Sequence, residues 1–206
     1  MTDSSTVEDA VVASTADTAV DADIVSAILT SAQAVFEADG MRRANVDNVA
    51  TSAGVSRSTL YRRFPSKTSL LLGVAEKVLG DMTRELDHST RGFPPQAAVV
   101  EAFCTTARLA HEVPFFSAVL RLNEAGKLFS VLRSVREEAM TVFAGRVATT
   151  LRRAGATMPD DALTEASHLL VRIAWSMNEI PIPGVAIDDE RAVRRFATIH
   201  LAQLVH

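Results

Sequence analysis

Apolar residues recur at steps of three and four positions along most of this 206-residue chain, and no other feature constrains its fold as strongly. The clearest stretch runs from 127 to 153, with Leu128, Leu132, Val135, Ala139, Phe143, Val147 and Leu151. This spacing places apolar side chains on one face of an α-helix. Strand-like alternation is hardly visible anywhere in the chain. The sequence therefore predicts an all-α fold.

Capping and breaking residues divide this pattern into separate helices. Asn45, Ser66 and Asp188 can each cap a helix start, whereas Gly40 and Gly54 are typical helix stops. The predicted helices cover about 23–40, 45–54, 57–64, 66–79, 96–111, 115–122, 127–153, 159–178 and 188–205.

The charges are unevenly spread, although the formal net charge is only −4. Residues 1–23 carry six acidic side chains and no basic one, whereas residues 24–80 carry seven basic and four acidic ones. Residues 1–20 are also rich in Ser, Thr and Ala, which predicts a disordered acidic tail. The basic excess that follows is the electrostatic pattern expected where a protein meets nucleic acid.

Composition argues against several other classes of protein. No apolar run approaches the roughly 20 residues that cross a bilayer, and the single cysteine, Cys104, can form no intramolecular disulfide. Both features suit a cytoplasmic protein. The sequence contains no phosphate-binding glycine motif, nucleophile elbow or His/Glu zinc motif, so we expect neither an enzyme nor a bound cofactor. We also expect no metal site, because His111 and His168 lack carboxylate or cysteine partners at obvious metal spacing.

The segment NVDNVATSAGVSRSTLYRRFPSKTSLL, residues 45–71, predicts a helix-turn-helix. Ala50 is small where two helices cross closely, Gly54 can adopt the left-handed backbone of a tight turn, and Leu60 directs the second helix onto the core. The residues that this second helix then displays are Arg57, Ser58, Thr59, Tyr61 and Arg62. Such a helix has the width of the DNA major groove, where its N-terminal residues can reach base edges.

The same segment resembles the DNA-binding segment of the TetR family of bacterial transcriptional regulators. The positions that carry the resemblance are Ala50, Ala53, Gly54, Val55, Ser56, Thr59, Leu60, Tyr61, Phe64, Lys67 and Leu70. Tyr61, Phe64 and Lys67 extend it beyond a generic helix-turn-helix, and the close resemblance covers about residues 24–75. One departure is Asn45, where the family often has Thr. Asn still caps a helix and can donate to a phosphate.

The resemblance implies two functional parts, a three-helix DNA-binding domain at 21–68 and a helical ligand-binding and dimerisation domain at 69–206. In the first part, Tyr61 and Lys67 suit phosphate contacts that fix the register on DNA. Arg57 and Thr59 are the candidates for base contacts, because Arg pairs with guanine and the Thr methyl can touch a thymine methyl. The secondary candidates for DNA contact are Asn45, Ser58, Arg62 and Arg63.

In the second part, the resemblance implies that two C-terminal helices pack against a second copy and that central helices enclose a ligand cavity. The candidate interface residues of this homodimer are Ala162, Ala166, Leu169, Leu170, Ile173, Phe196 and Leu201. The candidate pocket residues are Phe103, His111, Phe115, Phe116, Asn123, Phe129, Met140, Phe143, Trp175 and Asn178. Aromatic walls with few polar groups suit a largely apolar small-molecule effector.

The implied function is that of a regulator, most commonly a repressor in this family, released from a palindromic double-stranded DNA operator when its effector binds. A ligand-independent DNA-organising or cell-division protein on the same fold is the alternative. A repressor should recognise few sites near genes for transport or metabolism, whereas an organiser should occupy many dispersed sites.

Overall fold

The computed structural model describes residues 5–115, 117, 127–180 and 182–206, and every regular element in these ranges is helical. The prediction of an all-α fold is confirmed. The elements are α1 (Ser5–Asp39), α2 (Val46–Ser52), α3 (Arg57–Arg63), α4 (Lys67–Ser89), α5 (Pro95–Glu112), α6 (Lys127–Arg153), α7 (Asp160–Glu179) and α8 (Glu190–Phe196), followed by a π-helical turn (Ala197–Leu201) and a 3₁₀ turn (Ala202–Leu204). None of the helices in the described ranges combines the length and apolar character needed to cross a membrane.

Two helix starts differ from the prediction. Helix α1 begins at Ser5, so residues 5–20, predicted as a disordered tail, are helical in the structure. No Gly or Pro interrupts the chain between Ser5 and Asp39, and a helix started at Asp23 can therefore extend backwards at little cost. The last helix is capped by Asp189 and not by Asp188, because the Asp189 carboxylate accepts from the amides of Arg191 and Ala192.

The chain forms two compact units, one up to Val74 and one from Ala75 to His206. The predicted domain boundary between 68 and 69 falls inside α4, which continues from the first unit into the second. Helix α4 starts at a reciprocal cap, since Ser66 Oγ accepts from the Ser69 amide and Ser69 Oγ accepts from the Ser66 amide, both at 3.0 Å. This cap confirms Ser66 as the predicted start of the fourth helix.

The first unit has a core of apolar side chains from all four of its helices. These residues are Ile28, Ala32, Phe36, Val49, Ala50, Leu60, Leu70, Leu71 and Val74. They lie at the helical spacing that the sequence shows, so the short helices α2 and α3 are held by tertiary packing and not by their own propensity.

The second unit packs around α5, with buried side chains from α6, α7 and the C-terminal segment. Arg194 of α8 pairs with Glu101 of α5 and with Glu190 one turn earlier in its own helix. These carboxylates raise the pKa of the Arg194 guanidinium further above its ordinary value. The final residue is also held, because the amides of Thr157 and Met158 donate to the His206 carbonyl at 2.8 and 3.2 Å.

Replacing Gly73 by Ala should lower the free energy of unfolding by about 1 to 3 kcal/mol, because the site has no room for one added methyl group. A Cβ there would lie 2.8 Å from Phe64 Cε1 and 2.9 Å from Leu29 Cδ2. Gly80→Ala, in the same helix, meets only Arg84 Nη1 at 3.6 Å. It should raise stability by about 0.5 to 1 kcal/mol through helix propensity. Urea denaturation measures both, and an equal gain in the two variants would contradict the tight packing at Gly73.

Candidate nucleic-acid interface

Helices α2 and α3 are joined by a tight turn that requires a glycine. Gly54 has φ +67°, in the left-handed region that side chains disfavour. The Gly54 amide donates to the Thr51 carbonyl at 3.2 Å and the Val55 amide to the Ala50 carbonyl at 3.0 Å, which closes the end of α2. The predicted helix-turn-helix is therefore present, with its turn at the predicted residue.

Helix α3 is only seven residues long, and it is held at one end by a cap and in the middle by an anchor. Ser56 Oγ accepts from the Thr59 amide at 3.1 Å, and it also hydrogen-bonds to the hydroxyls of Ser58 and Thr59 at 2.8 and 2.9 Å. Leu60 is fully buried in the core of the first unit. With these two restraints the helix can present its remaining face to a partner.

The exposed face of α3 carries the residues that the sequence assigns to DNA, with different degrees of exposure. Arg57, Ser58 and Arg62 are exposed, and Tyr61 is 44% exposed. Thr59 is half-buried, with its hydroxyl held in the Ser56 cap network. Exposure on one short helix makes these side chains available to a groove, while their roles toward individual bases stay predictions.

The two end arginines of α3 are each paired with an aspartate, and the third arginine is not. Arg57 Nη1 lies 3.0 Å from Asp47 Oδ2 of α2. Arg63 is half-buried and pairs with Asp21 of α1. Arg62 has no acidic partner among the described residues. The cations of this segment are therefore not equally available to phosphates, a difference that sequence alone did not indicate.

Lys67 is placed at the first residue of α4, where its ammonium binds backbone carbonyls of the first unit. Lys67 Nζ donates to the carbonyls of Arg42 and Ala44 at 2.9 and 2.7 Å, which fixes α4 to the loop between α1 and α2. Partial burial lowers the pKa of this ammonium from its ordinary value near 10.5. An ammonium has three N–H donors, so one remains for a phosphate. Asn45 also has a structural role, because it caps the start of α2: its Oδ1 accepts from the Asp47 amide at 2.9 Å.

The second unit contains a cavity of about 110 Å³ with a largely apolar wall. Helices α4, α5, α6 and α7 contribute its lining, and three of the predicted pocket residues, Phe103, Phe143 and Trp175, belong to it. Residues that the sequence analysis missed include Met82, Thr83, Leu86, Asp87, Thr90, Thr106 and Arg146. The α4 residues could have been found by extending its predicted helix beyond 79, because Met82 and Leu86 continue its apolar spacing.

Other predicted pocket residues lie elsewhere or outside the described parts. Phe115 is buried, Met140 half-buried and His111 exposed, and none of the three lines this cavity. Phe116 and Asn123 fall outside the described residues, as do the side chains of Phe129 and Asn178.

The predicted dimer residues differ in how much surface they offer. Leu169 is 50% exposed, and Ala162, Ile173 and Phe196 are half-buried. Ala166, Leu170 and Leu201 are buried in the core of their own unit, and Leu170 also lines the cavity. Phe196 packs on Phe103 with ring centroids 6.1 Å apart. Of this set, Leu169 is the side chain with most apolar surface left for a second copy.

The capped and anchored α2–α3 pair, followed by a larger helical unit, defines a helix-turn-helix protein of the all-α class. The model of the family described as bacterial regulatory proteins, tetR family, matches residues 28–74. That range holds α2, the turn and α3, so the chain is similar to this family over its helix-turn-helix segment.

Single proteins resemble this chain either over its N-terminal part or, at lower identity, over most of its length. The HTH-type transcriptional regulator EthR of Mycolicibacterium smegmatis is 34% identical over 76 residues, 36% of this chain and 35% of that one. The nucleoid occlusion factor SlmA of Actinobacillus pleuropneumoniae is 32% identical over 83 residues, 40% of this chain and 41% of that one. The chain thus spans less than half the length of these curated relatives. A transcriptional regulator of known structure from Rhodococcus sp. Rha1 shares the fold, with TM-score 0.62 and 16% identity over 87% of this chain and 95% of that one.

Lys67→Ala should lower the free energy of unfolding by about 1 to 2 kcal/mol, because two carbonyls lose a charged hydrogen-bond donor. Thermal denaturation measures this loss. Lys77→Ala is the matched control on the same helix, since the Lys77 ammonium pairs with Asp81 at 3.0 Å four residues on. Such a surface pair is worth about 0.3 to 0.5 kcal/mol. Equal effects of the two substitutions would contradict a structural role for Lys67.

Proposed function

We propose that the chain is a sequence-specific DNA-binding transcriptional regulator, a repressor that a small and largely apolar ligand releases from its operator. The observation that carries the DNA-binding part is the exposed face of α3, which presents Arg57, Ser58, Tyr61 and Arg62. A protein face made of guanidinium, hydroxyl and phenol groups matches the hydrogen-bonding edges and phosphates of a major groove.

The cavity of the second unit supports the ligand-responsive part. Three of the four threonines on its wall, Thr83, Thr90 and Thr106, donate their hydroxyl protons to carbonyls four residues earlier, at 2.8, 2.7 and 2.8 Å. Their donors are therefore used within the helices, so the wall offers a ligand mainly apolar contact. The charged residues of the lining, Asp87 and Arg146, are exposed.

The cavity volume sets the size of the ligand part that can be enclosed. An apolar protein cavity of about 150 Å³ holds a molecule the size of benzene, and this cavity measures about 110 Å³. This cavity is smaller than one that holds benzene, so we propose a ligand whose buried part is a short alkyl chain. A polar end of such a ligand would extend toward Arg146 or Asp87.

The proposed mechanism is a shift between two arrangements of a homodimer. Two copies would present two α3 helices one DNA turn apart, about 34 to 36 Å, to a near-palindromic operator. Helix α4 carries Lys67 at its first residue and cavity residues from Met82 onward. A ligand that favours one position of α4 would favour a separation of the two α3 helices that no longer fits successive grooves.

A DNA-organising protein is the second candidate, favoured by the similarity to a nucleoid occlusion factor over 83 residues. Sites mapped by crosslinking across the genome separate the two functions. A repressor should occupy a few sites near genes for transport or metabolism, whereas an organiser should occupy many dispersed sites.

The first test is fluorescence anisotropy of the purified protein on the duplex immediately upstream of its own gene, at two salt concentrations and with an unrelated duplex as competitor. We expect binding that resists competition and weakens with salt, because Lys and Arg side chains release counterions from phosphates. Binding that the unrelated duplex removes entirely would contradict specific recognition at this site.

Ala102→Leu should abolish release of DNA by ligands with a short alkyl chain while leaving DNA affinity unchanged, because the added side chain fills the cavity that Ala102 lines. Substitutions that fill a cavity commonly change stability by about 0.5 to 2 kcal/mol. Ala186→Leu, exposed in the same unit and outside the cavity, is the control and should respond as the parent protein does. Ligand titrations followed by anisotropy measure the response. An undiminished response of Ala102→Leu would place the ligand elsewhere.

A further inference from the structure

We propose that Asp47 is a specificity-determining residue that positions Arg57 for guanine and disfavours its binding to phosphate. This inference rests on the proposed DNA-reading function of α3. It concerns a residue on the neighbouring helix α2 that does not itself belong to the exposed face of α3. Asp47 acts through Arg57, so it is a positioning residue.

The pair joins an exposed guanidinium to a carboxylate whose backbone is held by hydrogen bonds. Arg57 Nη1 lies 3.0 Å from Asp47 Oδ2, with the Arg57 side chain 71% and the Asp47 side chain 31% exposed. The Asp47 backbone is held on both sides, since its amide donates to Asn45 Oδ1 at 2.9 Å and its carbonyl accepts from Thr51 Oγ1 at 3.2 Å. One turn further, Val49 and Ala50 are buried in the core. The backbone that carries the carboxylate therefore has a defined position, from which Asp47 reaches the guanidinium of Arg57.

Among the described residues, no acceptor is bound to the guanine-binding edge of Arg57. A guanidinium carries five N–H donors in a planar fork. The ion pair uses Nη1, while Nε and Nη2 point along the other edge of the plane. Two parallel donors on one edge are what guanine O6 and N7 accept in the major groove. An arginine held through Nη1 can therefore still make its bidentate contact with guanine. The ion pair already restricts its rotamers in the free protein, so less conformational entropy is lost when it binds DNA.

The charge of Asp47 acts in the same direction as its geometry. A carboxylate beside Arg57 cancels much of the attraction of that guanidinium for phosphate, which is the part of DNA that carries no sequence information. Guanine offers neutral acceptors and no negative charge, so the carboxylate weakens the contact of Arg57 with guanine less than its contact with phosphate. The pair therefore lowers affinity for unrelated DNA more than affinity for a site with guanine at the contacted position.

Arg63 and Asp21 provide a matched comparison at the other end of the same helix. They form an ion pair of the same type, but Arg63 is half-buried against α1. Loss of the Asp21 charge should raise affinity for all DNA without changing base preference. Loss of the Asp47 charge should change both.

The experiment compares Asp47→Asn, Asp21→Asn, Arg57→Ala and the double variant Asp47→Asn/Arg57→Ala with the parent protein. The probes are a synthetic duplex selected by the parent protein from randomised palindromes, the same duplex with each base pair substituted in turn, and an unrelated duplex. Anisotropy gives affinities over a range of salt concentrations, and thermal denaturation checks that each variant is folded.

We expect Arg57→Ala to lose discrimination at one guanine by about 5- to 150-fold, the range of a bidentate pair. Asp47→Asn should lose about two- to fivefold at the same position, as expected for an exposed ion pair. It should also bind the unrelated duplex more tightly, with a salt slope steeper by about one unit, because the freed guanidinium can neutralise a phosphate. In the double variant, the effect of Asp47→Asn on discrimination should vanish. Asp47→Glu, which keeps the charge, should restore part of the discrimination.

Two results would overturn the proposed role of Asp47 and leave the DNA-reading function of α3 intact. One is unchanged discrimination in Asp47→Asn at the position that Arg57→Ala affects. The other is a uniform loss of affinity for every duplex with a lowered melting temperature, which marks a merely structural residue. If the parent protein selected no sequence from the library, the DNA-reading function would itself be wrong, and the role of Asp47 with it.

Discussion

Burial of Leu60 is the contact on which the candidate interface depends. Helix α3 has only seven residues, and an isolated helix of that length is not stable in water. The Ser56 cap satisfies its first amides, but only packing of Leu60 into the core fixes which face points outward. Because a single side chain sets this orientation, the neighbouring positions are free to carry polar groups.

The turn before α3 could be predicted from the sequence because it depends on local chemistry. The left-handed turn requires Gly54, Asn45 and Ser66 are residue types that start helices, and Leu60 directs the second helix onto the core. The start of α1 was predicted wrongly, because a segment of Ser, Thr, Asp and Ala without Gly or Pro is compatible with both a disordered tail and a continued helix. Composition alone does not choose between these states.

The cavity shows the opposite case, in which long-range packing decides. Phe103, Phe143 and Trp175 could be named from the sequence because large aromatic residues commonly line apolar sites. His111 and Phe115 are equally plausible by type, yet they lie away from the lining. Which helical face meets a cavity depends on how α4, α5, α6 and α7 pack, and side-chain spacing within one helix does not contain that information.

The ion pairs of α3 show that the charge of a segment is not the charge that it offers to DNA. The stretch from 54 to 67 has four cations and no acid, but three of the four are engaged by groups distant in sequence. Arg57 meets Asp47, Arg63 meets Asp21, and Lys67 meets two carbonyls. Arg62 is without such a partner among the described residues, and Lys67 keeps its charge and one N–H donor, so attraction to phosphate is concentrated at these two positions. A recognition helix with fewer available charges depends more on base contacts for its affinity, and base contacts are what distinguish one site from another.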